Sequence, residues 1–355
     1  MIRVLVVDDS TAMRRVVAAV LRSDPGIEIV GQAEDGLQGL ELIETVKPDV
    51  VTLDVEMPRL DGLETLKRIR ARHPRLPVVM FSSLTEQGAA TTVTALTNGA
   101  SDYVQKPAGG GAVSASMDAV RSELLPKVRA LGARALTRVD TGSTSVESTA
   151  AASPTGAGEK ARRRPPEIVA IGCSTGGPDA LSVVLRDLPA DLGVPVVVVQ
   201  HMPAVFTTLL AERLSRVSPL PVREAVDGEQ PSARQVTIAP GDYHLRVSRR
   251  AGRPRLHLDQ EPPVHFCRPA VDPLLTSVAE AYGPRSLSIV LTGMGVDGAE
   301  GARAAQAAGG IVLAQDEASS VVWGMPGAVV GAGAADEVIP LSSVAARITQ
   351  LARRR

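Results

Sequence analysis

Three things are scarce in this sequence of 355 residues, and each scarcity removes a class of function. Cysteine occurs only as Cys173 and Cys267, which make neither a disulfide framework nor a metal-binding spacing and so fit a reducing compartment. Charge of one sign is not in excess. Lys and Arg number 38 against 39 acidic residues, a net charge of −1, so no nucleic acid and no anionic membrane surface is expected as the main partner. Long apolar runs are missing as well. The chain reaches Asp8 and Asp9 after a few apolar residues and holds no stretch able to span a bilayer, so a soluble, cytoplasmic protein without direct membrane insertion is expected.

What is present is enough apolar material, 44% of residues, for two domains, each with its own core. The first is expected over residues 1–121 and the second over 166–355. Between them, 122–165 reads as a linker: from Thr141 to Glu159 the residues are almost purely small and polar, and they bury too little apolar area to offset ordering entropy. Arg162-Arg163-Arg164-Pro165-Pro166 reads as its solvated end. A helical stripe of Met117, Val120, Leu124, Leu125 and Val128, within Ser114 to Leu131, closes the first domain and leads into the linker.

The first half alternates strand and helix. Val4 to Val7, Val50 to Leu53, Val78 to Phe81 and Tyr103-Val104 read as buried strands, and Ser10 caps an apolar-striped helix, so a parallel α/β sheet is expected. Strand ends then place Asp8 and Asp9 beside Asp54. Two carboxylates about 5 Å apart repel by roughly 3 kcal/mol at an effective dielectric of 20, so the cluster calls for a cation. A divalent ion with oxygen ligands is the natural candidate. Lys106 brings a further positive charge to the same spot, and Ser82 a hydroxyl. Any one of these aspartates alone reads as a helix cap; together they are far more specific.

The second half carries three loops, each directly after a β-branched run: Gly172-Cys173-Ser174-Thr175-Gly176-Gly177, Gln200-His201-Met202-Pro203 and Gly293-Met294-Gly295-Val296-Asp297-Gly298. Residues just past the carboxyl ends of parallel strands converge in the crevice where open α/β sheets hold ligands. Ser174, His201 and Asp297 are therefore candidate nucleophile, base and orienting acid. Gly172-x-Ser174-x-Gly176 matches the nucleophile-elbow pattern, but the order Ser, His, Asp differs from the α/β-hydrolase order. Cys173 reads as a buried small hydrophobe. His244, His257 and His265 lie in or near an expected hairpin region, Val236 to Leu258, outside the strand-end geometry. Gly293-x-Gly295-x-x-Gly298 before an alanine-rich helix also leaves open a dinucleotide-dependent, Rossmann-type enzyme, and a non-catalytic interaction module is a further alternative.

With these motifs laid out, residues 1 to about 120 resemble a two-component receiver domain, and the whole chain resembles the chemotaxis protein-glutamate methylesterases, the CheB family. Cys267-Arg268-Pro269-Ala270-Val271-Asp272, Gln315-Asp316-Glu317 and Trp323-Gly324-Met325-Pro326 extend the likeness. The resemblance implies a flavodoxin-like, five-stranded parallel receiver followed by a doubly wound α/β domain with a β-hairpin insertion. It implies Asp54 as the phosphoryl acceptor from a histidine kinase, Asp8 and Asp9 helping to bind Mg²⁺, Ser82 and Lys106 sensing the phosphoryl group, and Tyr103 as the aromatic switch. It further implies hydrolysis of γ-glutamyl methyl esters on the cytoplasmic helices of chemoreceptors, deamidation of selected glutamines, backbone amides of Thr175 and Met294 as oxyanion donors, and no cofactor for the hydrolysis. An unphosphorylated receiver is expected to cover the hydrolase crevice.

Overall fold

The structure is a computed structural model that describes residues 1–83, 85–107, 113–140 and 164–353; within it, two parallel sheets form, one in each half of the chain. The first comprises β1 (Ile2–Val7), β2 (Ile27–Ala33), β3 (Val50–Asp54), β4 (Val78–Ser82) and β5 (Asp102–Gln105), in the order β2-β1-β3-β4-β5. The runs that read as strands are buried on both faces, as a helix-covered parallel sheet requires. β2 was not legible. As an edge strand it mixes buried and exposed positions and has no continuous apolar run.

Helices α1 (Thr11–Arg22), α2 (Gly36–Val46), α3 (Gly62–Arg72), α4 (Glu86–Leu96) and α5 (Val113–Asp140) connect and flank these strands. Ser10 caps α1 by accepting from the Met13 N–H. Neither Asp8 nor Asp54 is a helix cap; Asp35, Asp61 and Thr85 take that role for α2, α3 and α4. α5 continues well past residue 121, with Val120, Leu124, Val128 and Leu131 buried against the β1 side of the sheet. The helix through Leu131 follows the expected apolar stripe, and its continuation to Asp140 runs through residues 132–140, expected as linker. The remainder of the expected linker, 141–163, lies outside the described residues.

The second half holds β6 (Ile168–Cys173), α6 (Gly177–Arg186), β7 (Val196–Gln200), α7 (Ala204–Ser215), β8 (Val222–Glu224), β9 (Val236–Ile238), β10 (His244–Arg250), β11 (Arg253–Asp259), α8 (Val271–Tyr282), β12 (Ser286–Val290), α9 (Ala299–Ala307), β13 (Ile311–Gln315), α10 (Gly324–Gly331), β14 (Glu337–Ile339) and α11 (Leu341–Ala352). Seven strands form one parallel sheet, β14-β13-β12-β6-β7-β9-β8. The antiparallel hairpin is β10-β11 alone. Val236–Ile238, assigned to the hairpin region from sequence, instead pairs with β7 in the main sheet. The valines of β7 are fully buried, each contributing about 1.5–3 kcal/mol by leaving water.

The two halves pack together. Receiver helix α4 lies against α7, and one apolar cluster joins Val93 and Leu96 to Phe206, Leu210 and Leu214. Tyr103 stacks on Phe206 with ring centroids 4.7 Å apart. Polar links run alongside: the Gly176 N–H donates to the Ser101 carbonyl at 2.9 Å, Thr175 Oγ1 to Asp102 Oδ2 at 2.5 Å and Arg213 Nε to Thr97 Oγ1 at 3.3 Å.

Candidate active site and phosphorylation pocket

β12, β6 and β7 are neighbours, and the loops leaving their carboxyl ends carry Asp297, Ser174 and His201. His201 Nε2 lies 2.7 Å from Asp297 Oδ2. Because a carboxylate only accepts, Nε2 is the protonated nitrogen and Nδ1 keeps its lone pair for work as a base. Cys267 Sγ sits 3.5 Å from Nδ1. The Ser174 hydroxyl has no hydrogen-bond partner among the described residues, but Ser174, His201, Thr175 and Met294 line one cavity of about 170 Å³. Receiver residues Leu96, Asp102, Tyr103 and Lys127 form its other wall.

Asp297 is buried, and burial alone would raise its pKa; hydrogen bonds from His201 and from the N–H groups of Val271 (2.6 Å) and Asp272 (2.9 Å) overcome this and hold it below the usual carboxylate range. Those amides open α8, so a helix N-terminus faces the acid. Burial pulls the His201 pKa down, but the bonds to Asp297 and Cys267 more than offset it and lift the imidazole above an ordinary histidine.

Surrounding residues fix the loops. Gln200 Nε2 donates to the carbonyls of Ser174 and His201, tying the Ser174 and His201 loops together. Thr292 Oγ1 donates to the Thr175 carbonyl at 2.9 Å, and Gln315 Oε1 accepts from the Thr292 N–H. Gly176 takes a left-handed φ of 77° where a side chain would strike Val321, so the turn after Ser174 requires glycine. Neither the Thr175 nor the Met294 N–H has an acceptor among the described residues. Cys173 is fully buried, its thiol donating to Gln200 Oε1, and burial pushes the thiol pKa far up. His244 and His257 bond the Pro262 carbonyl and Asp227, whereas His265 bonds Asp272 and has a ring nitrogen within 4.8 Å of carboxylate oxygens of both Asp272 and Asp297. Sequence reasoning gave no role to Gln200, Cys267 or the α8 N-terminus. All lie inside segments it quoted, but no spacing rule says that they touch His201 or Asp297.

The turn from Val264 to Cys267 also lay outside the sequence reading. Val264 and Cys267 exchange two backbone hydrogen bonds, with His265 at φ 50° and Phe266 at φ 63° between them. Two consecutive left-handed residues make a tight hairpin turn that normally recruits Asn or Gly; for other residues such backbone costs about 1–3 kcal/mol each. His265 Nε2 is 3.2 Å from the buried Asp272 Oδ2, which anchors the turn.

In the receiver, Asp8 and Asp54 are buried and Asp9 is exposed, with one oxygen from each within 4.8 Å of the others. Lys106 Nζ donates to Asp54 Oδ2 at 2.6 Å and pairs with Asp8 Oδ2 at 3.4 Å. Burial, joined by repulsion from Asp8, raises Asp54 to about 6 against the pull of Lys106. Burial likewise raises Asp8, whose Oδ2 accepts no hydrogen bond. A buried carboxylate oxygen that accepts no hydrogen bond and has only the 3.4 Å ion pair to Lys106, within an all-oxygen cluster, fits a hard divalent cation. Ser82 is not joined to Asp54; its hydroxyl donates to the Ser83 and Gly88 carbonyls. Tyr103 is buried against Phe206, with Lys127 Nζ 5.1 Å above its ring. A further cleft of about 680 Å³ lies elsewhere, with Arg70 and Asp179 in its lining.

Fold and site together define a receiver joined to a doubly wound α/β domain with a Ser, His, Asp cluster. The family model for CheB methylesterase matches residues 169–348, and that for the response regulator receiver domain matches 4–117. The protein-glutamate methylesterase/protein-glutamine glutaminase of Nocardioides sp. is 48% identical over 361 residues, spanning 100% of this chain and 96% of the relative. Its namesake in Symbiobacterium thermophilum is 49% identical, covering 98% and 96% respectively. The solved catalytic domain of the Thermotoga maritima CheB methylesterase superposes with a TM-score of 0.52 at 43% identity, covering 52% of this chain and 98% of that one. The chain belongs to the CheB methylesterase family. Membership sets aside the dinucleotide and interaction-module alternatives, and Asp297, bonded to His201, occupies the loop where a pyrophosphate would have to lie.

Proposed function

We propose that this chain is a phosphorylation-controlled serine hydrolase that cleaves γ-glutamyl methyl esters on chemoreceptor helices, releasing methanol, and deamidates selected glutamines there. The observation that carries the reading is the 2.7 Å His201–Asp297 pair in the same crevice as Ser174, at the ends of three adjacent strands. Ser174 Oγ attacks the ester carbonyl while Nδ1 of His201 takes its proton. The imidazolium then protonates the leaving methoxide, methanol departs, and water activated by the same nitrogen frees the glutamate and restores the serine. Asp297 fixes the tautomer and stabilises the imidazolium. The unpaired N–H groups of Thr175 and Met294 are suited to receive the oxyanion, a role worth about 2.7–4 kcal/mol for a single donor.

Asp54 is the proposed phosphoryl acceptor, served by the histidine kinase of the chemotaxis pathway in the cytoplasm. Asp8, Asp9 and Asp54 are suited to hold Mg²⁺, which when bound neutralises charge on the transferring phosphoryl group. Lys106 is placed to pair with that group, and Ser82, at the end of the neighbouring strand β4, is suited to contribute its hydroxyl. Among the described residues no helix is long and apolar enough to cross a membrane. Methanol release from methylated receptor membranes tests the proposal: Ser174→Ala is expected to abolish it, and near-normal turnover would end the serine mechanism.

A further inference from the structure

Phe266 is the most exposed large apolar side chain among the described residues, at 102% of its reference area, on a backbone conformation that disfavours it. Nothing in the fold gains from this placement, since the ring packs on nothing. Its neighbours show what it serves. Phe266 and the adjacent Cys267 wall a cleft of about 370 Å³ together with His201, Met202 and Pro203. Every residue lining this cleft belongs to the catalytic half, so the cleft stays open beside the receiver-covered cavity at Ser174. Three other exposed apolar side chains lie next to the same loops: Val205 at the start of α7, Tyr243 after the cleft residue Asp242, and Val296 before Asp297.

The cleft is poor in free charge. Besides the His201 imidazole, its cation is Arg268, which donates to Asp242 and to the carbonyls of Gln260 and Glu261. With Arg268 already engaged by Asp242, the cleft offers a partner apolar contact from Phe266, Met202 and Pro203.

We infer that Phe266 is a specificity-determining anchor that seats the substrate helix, receiving an apolar side chain one or two turns, about 5–11 Å, from the esterified glutamate. The strained turn holds the ring out, and the next residue touches the base, so the anchor and the chemistry share one rigid hairpin tip. This rests on the methylesterase reading and adds to it how a helix is chosen and registered.

The test compares methylated receptor membranes with p-nitrophenyl acetate, a small ester with no helix, using the full chain under phosphodonor. Phe266→Ala is expected to raise KM for receptor by about tenfold or more, the scale of one lost buried aromatic contact, with kcat retained. The receptor-to-small-ester ratio of kcat/KM falls accordingly, Phe266→Leu restores most of it, and Val226→Ala, exposed but away from the cleft, changes neither substrate. Phe266→Gly relieves the left-handed backbone, so it raises the melting temperature while raising KM, a pairing that a merely structural residue would not give. An unchanged receptor KM in Phe266→Ala, with small-ester cleavage intact, overturns the anchor and leaves the hydrolase standing. An altered oligomeric state with unchanged KM also overturns it, in favour of self-association. Failure of the unsubstituted chain to cleave either ester would instead remove the hydrolase reading beneath it.

Discussion

Each candidate catalytic group acquires its chemistry from neighbours, and Asp297 has the most. Three donors hold it ionised, His201 and two amides of α8, and it in turn keeps the proton of His201 on Nε2. In Asp297→Asn the side-chain amide can present N–H to Nε2, which forces the proton onto Nδ1 and removes the base. The kcat is expected to fall about 10³–10⁴-fold, as for other triads with the wrong tautomer. The pH profile carries a second signature. A raised imidazole pKa keeps the ring protonated to higher pH, so activity appears only as pH rises through that value, and the acid limb of kcat/KM lies above the ordinary histidine range near 6.5. Without the Asp297 charge, residual activity should show this limb displaced toward acid. A limb unmoved by the substitution would show that Asp297 does not set the imidazole pKa. At this scale the sequence was readable because Ser174, His201 and Asp297 each follow a buried strand. Cys267 and Gln200 were not readable as contacts, because touching depends on how loops close over one another.

Elements were legible in proportion to how completely they are buried. β6, β7, β12 and β13 appear as unbroken apolar runs because both faces are covered. The three-residue strands β8 and β14 lie at the two edges of the sheet, where half-exposed positions dilute the pattern, and β9 merged in the sequence with the nearby hairpin. The approach of β6 to α8, whose first amides bond Asp297, escaped sequence reading altogether. A Cβ at Gly172 would come 3.0 Å from Val271 Cβ and closer still to its methyl groups. Val271 is the first residue of α8, whose amides hold Asp297. Gly172→Ala should therefore cost about 1–3 kcal/mol of stability through overpacking and also lower kcat, as α8 shifts and the amides lose register with the carboxylate. Thermal melting together with methanol release checks both effects; a destabilised variant of full kcat would show that α8 does not position the acid.

At the scale of the whole molecule, the receiver covers Ser174 through the Tyr103–Phe206 stack, the Asp102–Thr175 hydrogen bond and the α4–α7 contact. None of this was visible in local patterns, since Leu96, Ser101, Phe206 and Arg213 carry no chemistry of their own; resemblance anticipated the covering but not the pairs that make it. Thr175 joins both systems, lining the cavity at Ser174 while its hydroxyl holds Asp102. Phosphorylation of Asp54 can open this arrangement only by the free energy with which it favours the undocked state. A stacked aromatic pair contributes about 0.5–1.5 kcal/mol beyond area burial, so Tyr103→Ala should raise basal activity by roughly 2–10-fold, provided that the closed state dominates at rest. Deleting residues 1–140 removes the whole interface and should raise it further, with no remaining response to a small phosphodonor. Asp54→Asn in the full chain should keep the low basal rate and lose the response, which separates loss of the acceptor from loss of the cover. Basal methanol release that is unchanged in both Tyr103→Ala and a folded truncation would mean that the docked receiver does not limit substrate access, and the control exerted through Asp54 would then have to act by some route other than uncovering Ser174.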